Sequence, residues 1–187
     1  MKNLLYALLT GILLAAAWPT FGFPLLLFAA FVPLMYAEFK IRNSQKKYLK
    51  LKIFAASYLS FFLWNLLTTY WLYFSTPFGG AFAILVNSLL MAGIFLLYHI
   101  VAKRSDFRAA SAFFIAIWIV FEKVHLGWEF SWPWLNLGNA FSDYHNWVQW
   151  YQYTGAFGGT LWVLLVNVAI FKMLLAWKEF GKKEILL

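Results

Sequence analysis

Six long apolar segments, separated by turns or charged loops, limit what this chain can fold into. A helix needs about 20 mainly apolar residues to cross the hydrocarbon core of a bilayer, or slightly fewer in a thin membrane. None of the segments alternates apolar and polar residues as an outer-membrane strand must. The sequence therefore predicts one all-α integral membrane domain over residues 1–187, a polytopic helical bundle with spans at residues 4–18, 23–39, 53–74, 81–102, 109–124 and 156–177.

The composition agrees with a membrane protein. Hydrophobic residues make up 64% of the chain and charged residues 12%, whereas soluble domains are about half apolar and about a quarter charged. The net charge of +8 would suggest nucleic acid for a soluble protein, but its placement along the chain fits membrane topology better, so we expect no nucleic-acid partner. The sequence has no Cys, which excludes disulfides and a cysteine nucleophile within these residues.

The basic residues fall on one side of a six-span arrangement. Fourteen of the 15 Lys and Arg residues lie in the loops 40–52 and 103–108 or near the two ends, and Lys123 alone lies on the other side. Cytoplasmic loops carry the excess of Lys and Arg. We therefore expect both termini in the cytoplasm of a multi-pass protein of the bacterial inner (plasma) membrane, with the loops 75–80 and 125–155 facing the periplasm.

The first segment permits a second interpretation. Lys2, the apolar run after it and the small residues 15–17 also fit a cleaved signal peptide. The charge distribution does not decide between the two, because the second span would keep its orientation after cleavage.

The longest outward loop is unusually aromatic. Residues 130–153 read FSWPWLNLGNAFSDYHNWVQWYQY and hold four of the 11 tryptophans. Tyr144, Trp147, Val148 and Tyr151 have the i, i+3, i+4, i+7 spacing of one helix face. This predicts a short interfacial helix over 144–151, at the level where Trp and Tyr are favoured. Such a loop is either a general aromatic belt or a floor that positions lipid or a second domain.

Polar residues also occur within the apolar segments. For Asn65, Asn87 and Asn167 we expect hydrogen bonds between helices. Glu122 ends the fifth segment, where a carboxylate is costly and usually paired. Lys123 and His125 are its local candidate partners, and the group is either an interfacial anchor or a functional residue.

The sequence shows no catalytic constellation of its own. It has no Gly-x-Ser-x-Gly elbow, no cluster of His and carboxylates at metal-ligand spacing and no glycine-rich phosphate loop. We therefore expect no catalytic residue, no metal and no cofactor within this chain.

Four motifs in order resemble the membrane part of bacterial apolipoprotein N-acyltransferase. They are AWPTFGF at 17–23, YWLYFSTPFGG at 70–80, WPWLNLG at 132–138 preceded by the Trp-x3-Glu of Trp118 and Glu122, and GAFGGTLWVLLVN at 155–167. The resemblance covers nearly the whole chain. It implies lipoprotein maturation, in which this family transfers an acyl chain from phospholipid to the N-terminal cysteine of a diacylated lipoprotein. The chemistry of the family resides in a periplasmic nitrilase-like domain that uses Glu, Lys and Cys.

The chain departs from that family in two places. The usual Glu-x-x-Arg-Gly reads Glu122-Lys-Val-His-Leu-Gly here, so that His125 stands near the place of the Arg with one extra residue. The chain also carries no nitrilase-like domain, so no catalytic residue transfers to it and we expect it to be inactive alone. Its last residues, EILL, resemble the start of another apolar run, which favours a fragment.

Other interpretations stay open. The chain could be a split subunit that works with a separately encoded nitrilase-like domain, or a non-catalytic membrane module that binds lipid or a partner protein. A small transporter would be expected to show paired broken helices or an inverted repeat, and neither is evident.

The resemblance implies which residues and partners to examine. The expected partners are membrane phospholipid, a lipoprotein substrate and a nitrilase-like domain, which this chain would anchor and supply with lipid. The candidate lipid-entrance or domain-docking residues are Trp71, Tyr73, Glu122, Trp132, Pro133, Trp134, Asn136, Tyr144, Trp147 and Tyr151.

Overall fold

A computed structural model describes residues 2–19, 22–44 and 47–184, with the side chains of 179–184 excepted. These parts of the chain consist of helices and turns, without a strand. Among the described residues, 3-10 helices occupy Pro24–Leu26, Pro133–Leu135 and, with a kink at Tyr144, Leu137–Trp147. The α-helices are α1 (Lys2–Ala16), α2 (Leu27–Ala30), α3 (Val32–Arg42), α4 (Leu49–Thr69), α5 (Leu72–Ser75), α6 (Pro77–Ala102), α7 (Phe107–His125), α8 (Tyr151–Thr154) and α9 (Ala156–Glu184).

The prediction of an all-helical fold is confirmed in the described residues. Every one of the six apolar segments is mainly helical in the described residues. Four helical stretches there are long and apolar enough to cross a membrane, and α1 is a shorter apolar helix. The four stretches are Pro24–Arg42, Leu49–Thr69, Pro77–Ala102 and Ala156–Lys178.

The second segment is broken at Phe31, between α2 and α3. The Phe31 N–H donates to Asn167 Oδ1 at 2.9 Å, and Asn167 Nδ2 donates to the Leu27 carbonyl at 2.7 Å. The Leu34 N–H donates to Thr10 Oγ1 at 3.1 Å. A break in an apolar environment exposes backbone groups that must find partners within the protein. Side chains of α9 and α1 supply those partners, which confirms the expected interhelical role of Asn167.

Helix α1 packs closely along α4. A Cβ atom at Gly11 would lie 2.7 Å from the Ser60 carbonyl oxygen, so the two backbones approach each other at this point. Ser60 Oγ donates to the Ala7 carbonyl at 2.9 Å. Small residues permit this close approach between membrane helices.

The centre of the bundle is aromatic. The ring centroids of Phe31 and Trp118 lie 4.9 Å apart in an edge-to-face arrangement, which aromatic pairs favour. The large side chains that are fully buried here include Phe31, Phe61, Trp64, Phe95, Phe114 and Trp118.

The loop predicted over 75–80 is shorter in the structure than the sequence indicated. Helix α4 ends at Thr69, α5 follows, and only Thr76 separates α5 from α6. The Thr76 side chain accepts a hydrogen bond from the Gly79 N–H at 3.3 Å. Pro77 occupies the first turn of α6, where its fixed φ suits a helix start and its missing N–H costs nothing. These local signals start the helix earlier than the apolar pattern does.

The predicted helix over 144–151 is also wrong. Tyr144 (φ −118°, ψ 40°) and Val148 (φ −123°, ψ 32°) both lie outside the helical region. The 3-10 segment Leu137–Trp147 is kinked at Tyr144, and α8 begins only at Tyr151.

Contacts far apart in the sequence explain this difference. The rings of Tyr144 and Trp147 lie with their centroids 6.2 and 6.3 Å from that of Phe23. The Tyr151 hydroxyl instead donates to the Gly138 carbonyl at 3.0 Å. A single helix would place these aromatic rings on one face, whereas the structure directs them to two different neighbours.

Candidate functional site

Glu122 joins three parts of the chain through one buried carboxylate. Its Oε1 accepts hydrogen bonds from Trp118 Nε1 at 3.1 Å and from the Leu137 N–H at 2.9 Å. Its Oε2 accepts a hydrogen bond from Thr160 Oγ1 at 2.6 Å. The residue is 2% exposed. The carboxylate therefore fixes the loop after α7 against α9.

The local partners expected for Glu122 have other contacts. Lys123 Nζ lies 5.6 Å from the centroid of the Phe157 ring. His125 forms a hydrogen bond with Asn87 instead. The partners of Glu122 come from its own helix, from a backbone amide in the aromatic loop and from α9, which the local sequence does not reveal.

Gly138 lets the aromatic loop reach the start of α9. A Cβ atom there would overlap the Ala156 carbonyl, and a Cβ atom on Gly159 would lie 2.9 Å from the Gly138 Cα. The Gly138 N–H donates to Thr160 Oγ1 at 3.2 Å, and its carbonyl accepts from the Tyr151 hydroxyl. We refer to Trp118, Glu122, Leu137, Gly138, Tyr151 and Thr160 as the Glu122 clamp.

Electrostatics support the role of Tyr151 as a donor. Burial, together with the negative charge of Glu122, raises the pKa of Tyr151 to about 12. The phenol therefore keeps its proton at neutral pH and can donate to the carbonyl of Gly138.

A cavity of about 830 Å³ lies where the ends of α1 and α4 meet the aromatic loop. Its aromatic walls include Trp18, Trp71 and Trp134, and the rings of Trp71 and Trp134 lie edge to face with centroids 5.3 Å apart. None of the described residues that line it carries a charge. They are Ala15, Ala16, Trp18, Pro19, Gly22, Leu67, Thr68, Thr69, Tyr70, Trp71, Pro133, Trp134, Asn139 and Ser142.

The structure brings together about half of the residues that the sequence singled out. Trp71, Pro133 and Trp134 line the cavity. Glu122 and Tyr151 belong to the Glu122 clamp, which holds the segment that carries Pro133 and Trp134.

The other predicted residues lie elsewhere. Trp132 donates its backbone N–H to the His125 carbonyl at 3.1 Å, and Asn136 is buried beside the clamp residue Leu137. Tyr73 is 62% exposed and contacts Phe74. The remaining two, Tyr144 and Trp147, pack against Phe23.

Sequence reasoning did not single out Trp18, Asn139 or Thr160. Trp18 and Asn139 line the cavity, and Thr160 bonds to Glu122. Trp18 and Thr160 lie within the first and last of the four motifs, so reading those motifs residue by residue would have found them.

Asn65, Asn87 and His125 form a second group of polar side chains that are joined by hydrogen bonds. Asn87 Nδ2 donates to Asn65 Oδ1 at 2.7 Å, which confirms the expected hydrogen bond between helices. The Asn87 Oδ1 therefore faces His125 Nε2, at 3.0 Å, as an acceptor. Thr69, which lines the cavity, donates its hydroxyl to the Asn65 carbonyl at 2.6 Å.

This arrangement assigns the proton on His125. Burial lowers the pKa of His125, which lies just beyond the predicted fifth span, so the neutral imidazole is favoured. Its Nε2 must carry the hydrogen, because the facing Asn87 oxygen accepts.

Among the described residues, no three His, Asp or Glu side chains come together as a metal-binding group.

Comparison with known proteins shows the family. Residues 10–169 match the sequence model described as the apolipoprotein N-acyltransferase N-terminal domain. The chain belongs to this family. Both the Glu122 clamp and all of the described residues that line the cavity lie within the matched residues.

A curated relative of the same family agrees. An apolipoprotein N-acyltransferase of Chlorobaculum tepidum is 28% identical over 186 residues, which is 97% of this chain and 34% of the relative. The chain thus spans about a third of the length of that relative. No solved structure matches the chain.

Proposed function

We propose that this chain forms the membrane part of an apolipoprotein N-acyltransferase, where it supports a catalytic domain and admits lipid to it. The reaction would transfer an acyl chain from phospholipid to the N-terminal cysteine of a diacylated lipoprotein. Membership of the family supports the reaction class. The uncharged aromatic cavity beside the Glu122 clamp is the observation that supports lipid admission.

The cavity has the properties that an acyl chain requires. Its volume of about 830 Å³ lies within the roughly 300–1,000 Å³ of sites that hold small molecules. Its walls combine tryptophan rings and alanine methyl groups with a few hydroxyl and amide groups. An apolar chain gains by contact with such walls, and the absence of a charge among the lining residues avoids a desolvation cost.

The Glu122 clamp supplies a firm support for this wall. Pro133 and Trp134 belong to the same short loop as Leu137, whose N–H is held by Glu122. Aromatic residues on this loop remain exposed, with Trp134 at 52% and Trp147 at 43%. A rigid loop with exposed aromatic groups suits both contact with lipid and docking of a second domain.

The topology that fits this role has six spans and both termini in the cytoplasm. The distribution of Lys and Arg supports this orientation. The shorter helix α1 and residues 109–124 of α7 would be the additional spans, with the cavity and the aromatic loop on the periplasmic side of a bacterial inner membrane.

Photo-crosslinking tests lipid admission directly. The purified chain would be labelled in vesicles with a phospholipid that carries a diazirine on one acyl chain, and labelled peptides would be mapped. We expect labelling around Trp71 and Trp134, and about tenfold less in W71A/W134A, because aromatic side chains that a ligand covers dominate binding. W177A is the matched control, since Trp177 is exposed at the opposite end of α9. Equal labelling in all three proteins would contradict lipid admission through this cavity.

A chimera tests the link to acyl transfer. This chain would replace the matching part of the Chlorobaculum tepidum enzyme, and N-acylation of a diacylated lipopeptide would be measured. We expect an active chimera that loses activity in W71A/W134A and keeps it in W177A. An active chimera that is indifferent to W71A/W134A would restrict the chain to anchoring.

A further inference from the structure

We propose that Lys40 and Lys178 form a headgroup site for an anionic phospholipid, at the end of the bundle opposite the cavity. Lys40 lies near the end of α3, and Lys178 is the last residue of the apolar stretch of α9. This site is distinct from the Glu122 clamp and from the cavity, and it extends beyond the proposed acyl-transfer role.

One tyrosine ring holds both ammonium groups. Lys178 Nζ lies 3.8 Å from the centroid of the Tyr36 ring and donates a hydrogen bond to the Tyr36 hydroxyl at 2.6 Å. Lys40 Nζ lies 5.3 Å from the centroid of the same ring and 5.7 Å from that of Tyr6. Tyr6 and Tyr36 themselves pack edge to face, with centroids 5.3 Å apart. Both ammonium groups thus contact the same aromatic pair.

The charge at this point is not neutralised by the described side chains. The ion pairs of those side chains involve Glu38 with Arg42 and Glu38 with His99, and neither Lys40 nor Lys178 takes part. Both lysines are exposed. Two positive charges that share one aromatic pair repel each other, and an anion that binds at this pair reduces that cost. A phosphodiester offers each ammonium group one of its oxygens.

The position favours a lipid phosphate over a free one. Trp177 and Met173 lie on one face of α9 beside Lys178 and are 73% and 70% exposed. Leu5 and Leu9 of α1, near Tyr6, are 62% and 46% exposed. Trp is enriched at the interface of a bilayer, and exposed leucines face its hydrocarbon. The two ammonium groups therefore lie at headgroup level, with apolar surface below for the acyl chains.

The tyrosines also lower the entropic cost of binding. A free lysine side chain loses much rotamer freedom when it is fixed on a ligand. The contacts with Tyr36 and Tyr6 restrict both lysines before lipid arrives, so less freedom is lost on binding. This distinguishes the pair from the other lysines of the same basic side, such as Lys50 and Lys103, which are exposed and have no described aromatic contact.

Lipid titration followed by native mass spectrometry tests the site. The full chain in detergent would be titrated with dioleoyl phosphatidylglycerol and, separately, with dioleoyl phosphatidylcholine, which has the same acyl chains and no net charge. We expect preferential binding of the anionic lipid. K40Q/K178Q should weaken that binding about thirtyfold, since two basic residues near an anionic headgroup together contribute about 2 kcal/mol.

Control variants separate a site from a general electrostatic field. K50Q/K103Q removes the same charge and should change binding less than twofold, and K40R/K178R should keep it. Equal loss in both Gln pairs would overturn the proposal, as would equal binding of the two lipids. Displacement of the anionic lipid by excess inorganic phosphate would assign the site to free phosphate and overturn it as well. None of these outcomes depends on acyl transfer.

Discussion

The hydroxyl of Thr160 donates a hydrogen bond of 2.6 Å to the carboxylate of Glu122, across 38 positions of the sequence. This bond joins the end of α7 to the first turns of α9, and the same carboxylate also holds the N–H of Leu137. The Trp-x3-Glu motif, the WPWLNLG loop and the glycine-rich start of α9 thus meet at one group. We interpret these three motifs as parts of one structural clamp.

Removal of the Glu122 carboxylate should release the aromatic loop. In E122A the buried Leu137 N–H, Trp118 Nε1 and Thr160 hydroxyl lose their acceptor, at a cost of roughly 3–5 kcal/mol in the free energy of unfolding. E122Q keeps a carbonyl oxygen and should lose less. Chemical unfolding in detergent measures both, and limited proteolysis should cut residues 130–155 faster in E122A. A loop that stays protected in E122A would contradict the clamp.

Glycine is required where the loop crosses α9. G138A and G159A should each lower the free energy of unfolding by about 1–3 kcal/mol. The added methyl group would meet the backbone of Ala156 at position 138, and the Tyr151 side chain and the Gly138 Cα at position 159. G93A is the matched control, since no heavy atom lies within 4 Å of a Cβ atom built there. We expect G93A to leave stability unchanged or to raise it. Similar losses in all three variants would show that close approach is not the cause.

The helices of the six apolar segments could be predicted from the sequence, because long apolar runs indicate them. The hydrogen bond between Asn65 and Asn87 was also accessible, since amides within apolar segments seek partners on neighbouring helices. The partners of Glu122 could not be predicted in this way. Two of them, the Leu137 N–H and Thr160, lie 15 and 38 positions away along the chain. A backbone amide carries no signature in the sequence.

The aromatic loop shows why local periodicity was misleading there. The spacing of Tyr144, Trp147 and Tyr151 fits one helix face, and the chain turns before Tyr151 nonetheless. Contacts with Phe23 on one side and Gly138 on the other decide the conformation. The cavity was only partly predicted for a similar reason, because its wall combines residues from three separate motifs.

His125 should make stability depend on pH. Burial lowers its pKa in the folded state, so the unfolded state binds more protons below about pH 6.5. The free energy of unfolding should therefore fall as the pH drops from 7.5 to 5.5. In H125Q the Gln amide can still donate to Asn87 without taking up a proton, so this pH dependence should be smaller. The other two histidines are present in both proteins, and identical pH profiles would contradict a neutral His125 in the fold.

The side chain of Asn167 on α9 should contribute strongly to the free energy of unfolding. N167L leaves the Phe31 N–H and the Leu27 carbonyl without their partner in an apolar environment, at a cost of roughly 2–4 kcal/mol in the free energy of unfolding. S88A is the control, because Ser88 bonds only to the Ile84 carbonyl of its own helix among its described hydrogen bonds and should cost less than about 1 kcal/mol. Chemical unfolding in detergent compares the two variants. Equal small losses would mean that the break at Phe31 is stable without α9, and that the side chain of Asn167 does not hold the second segment in place.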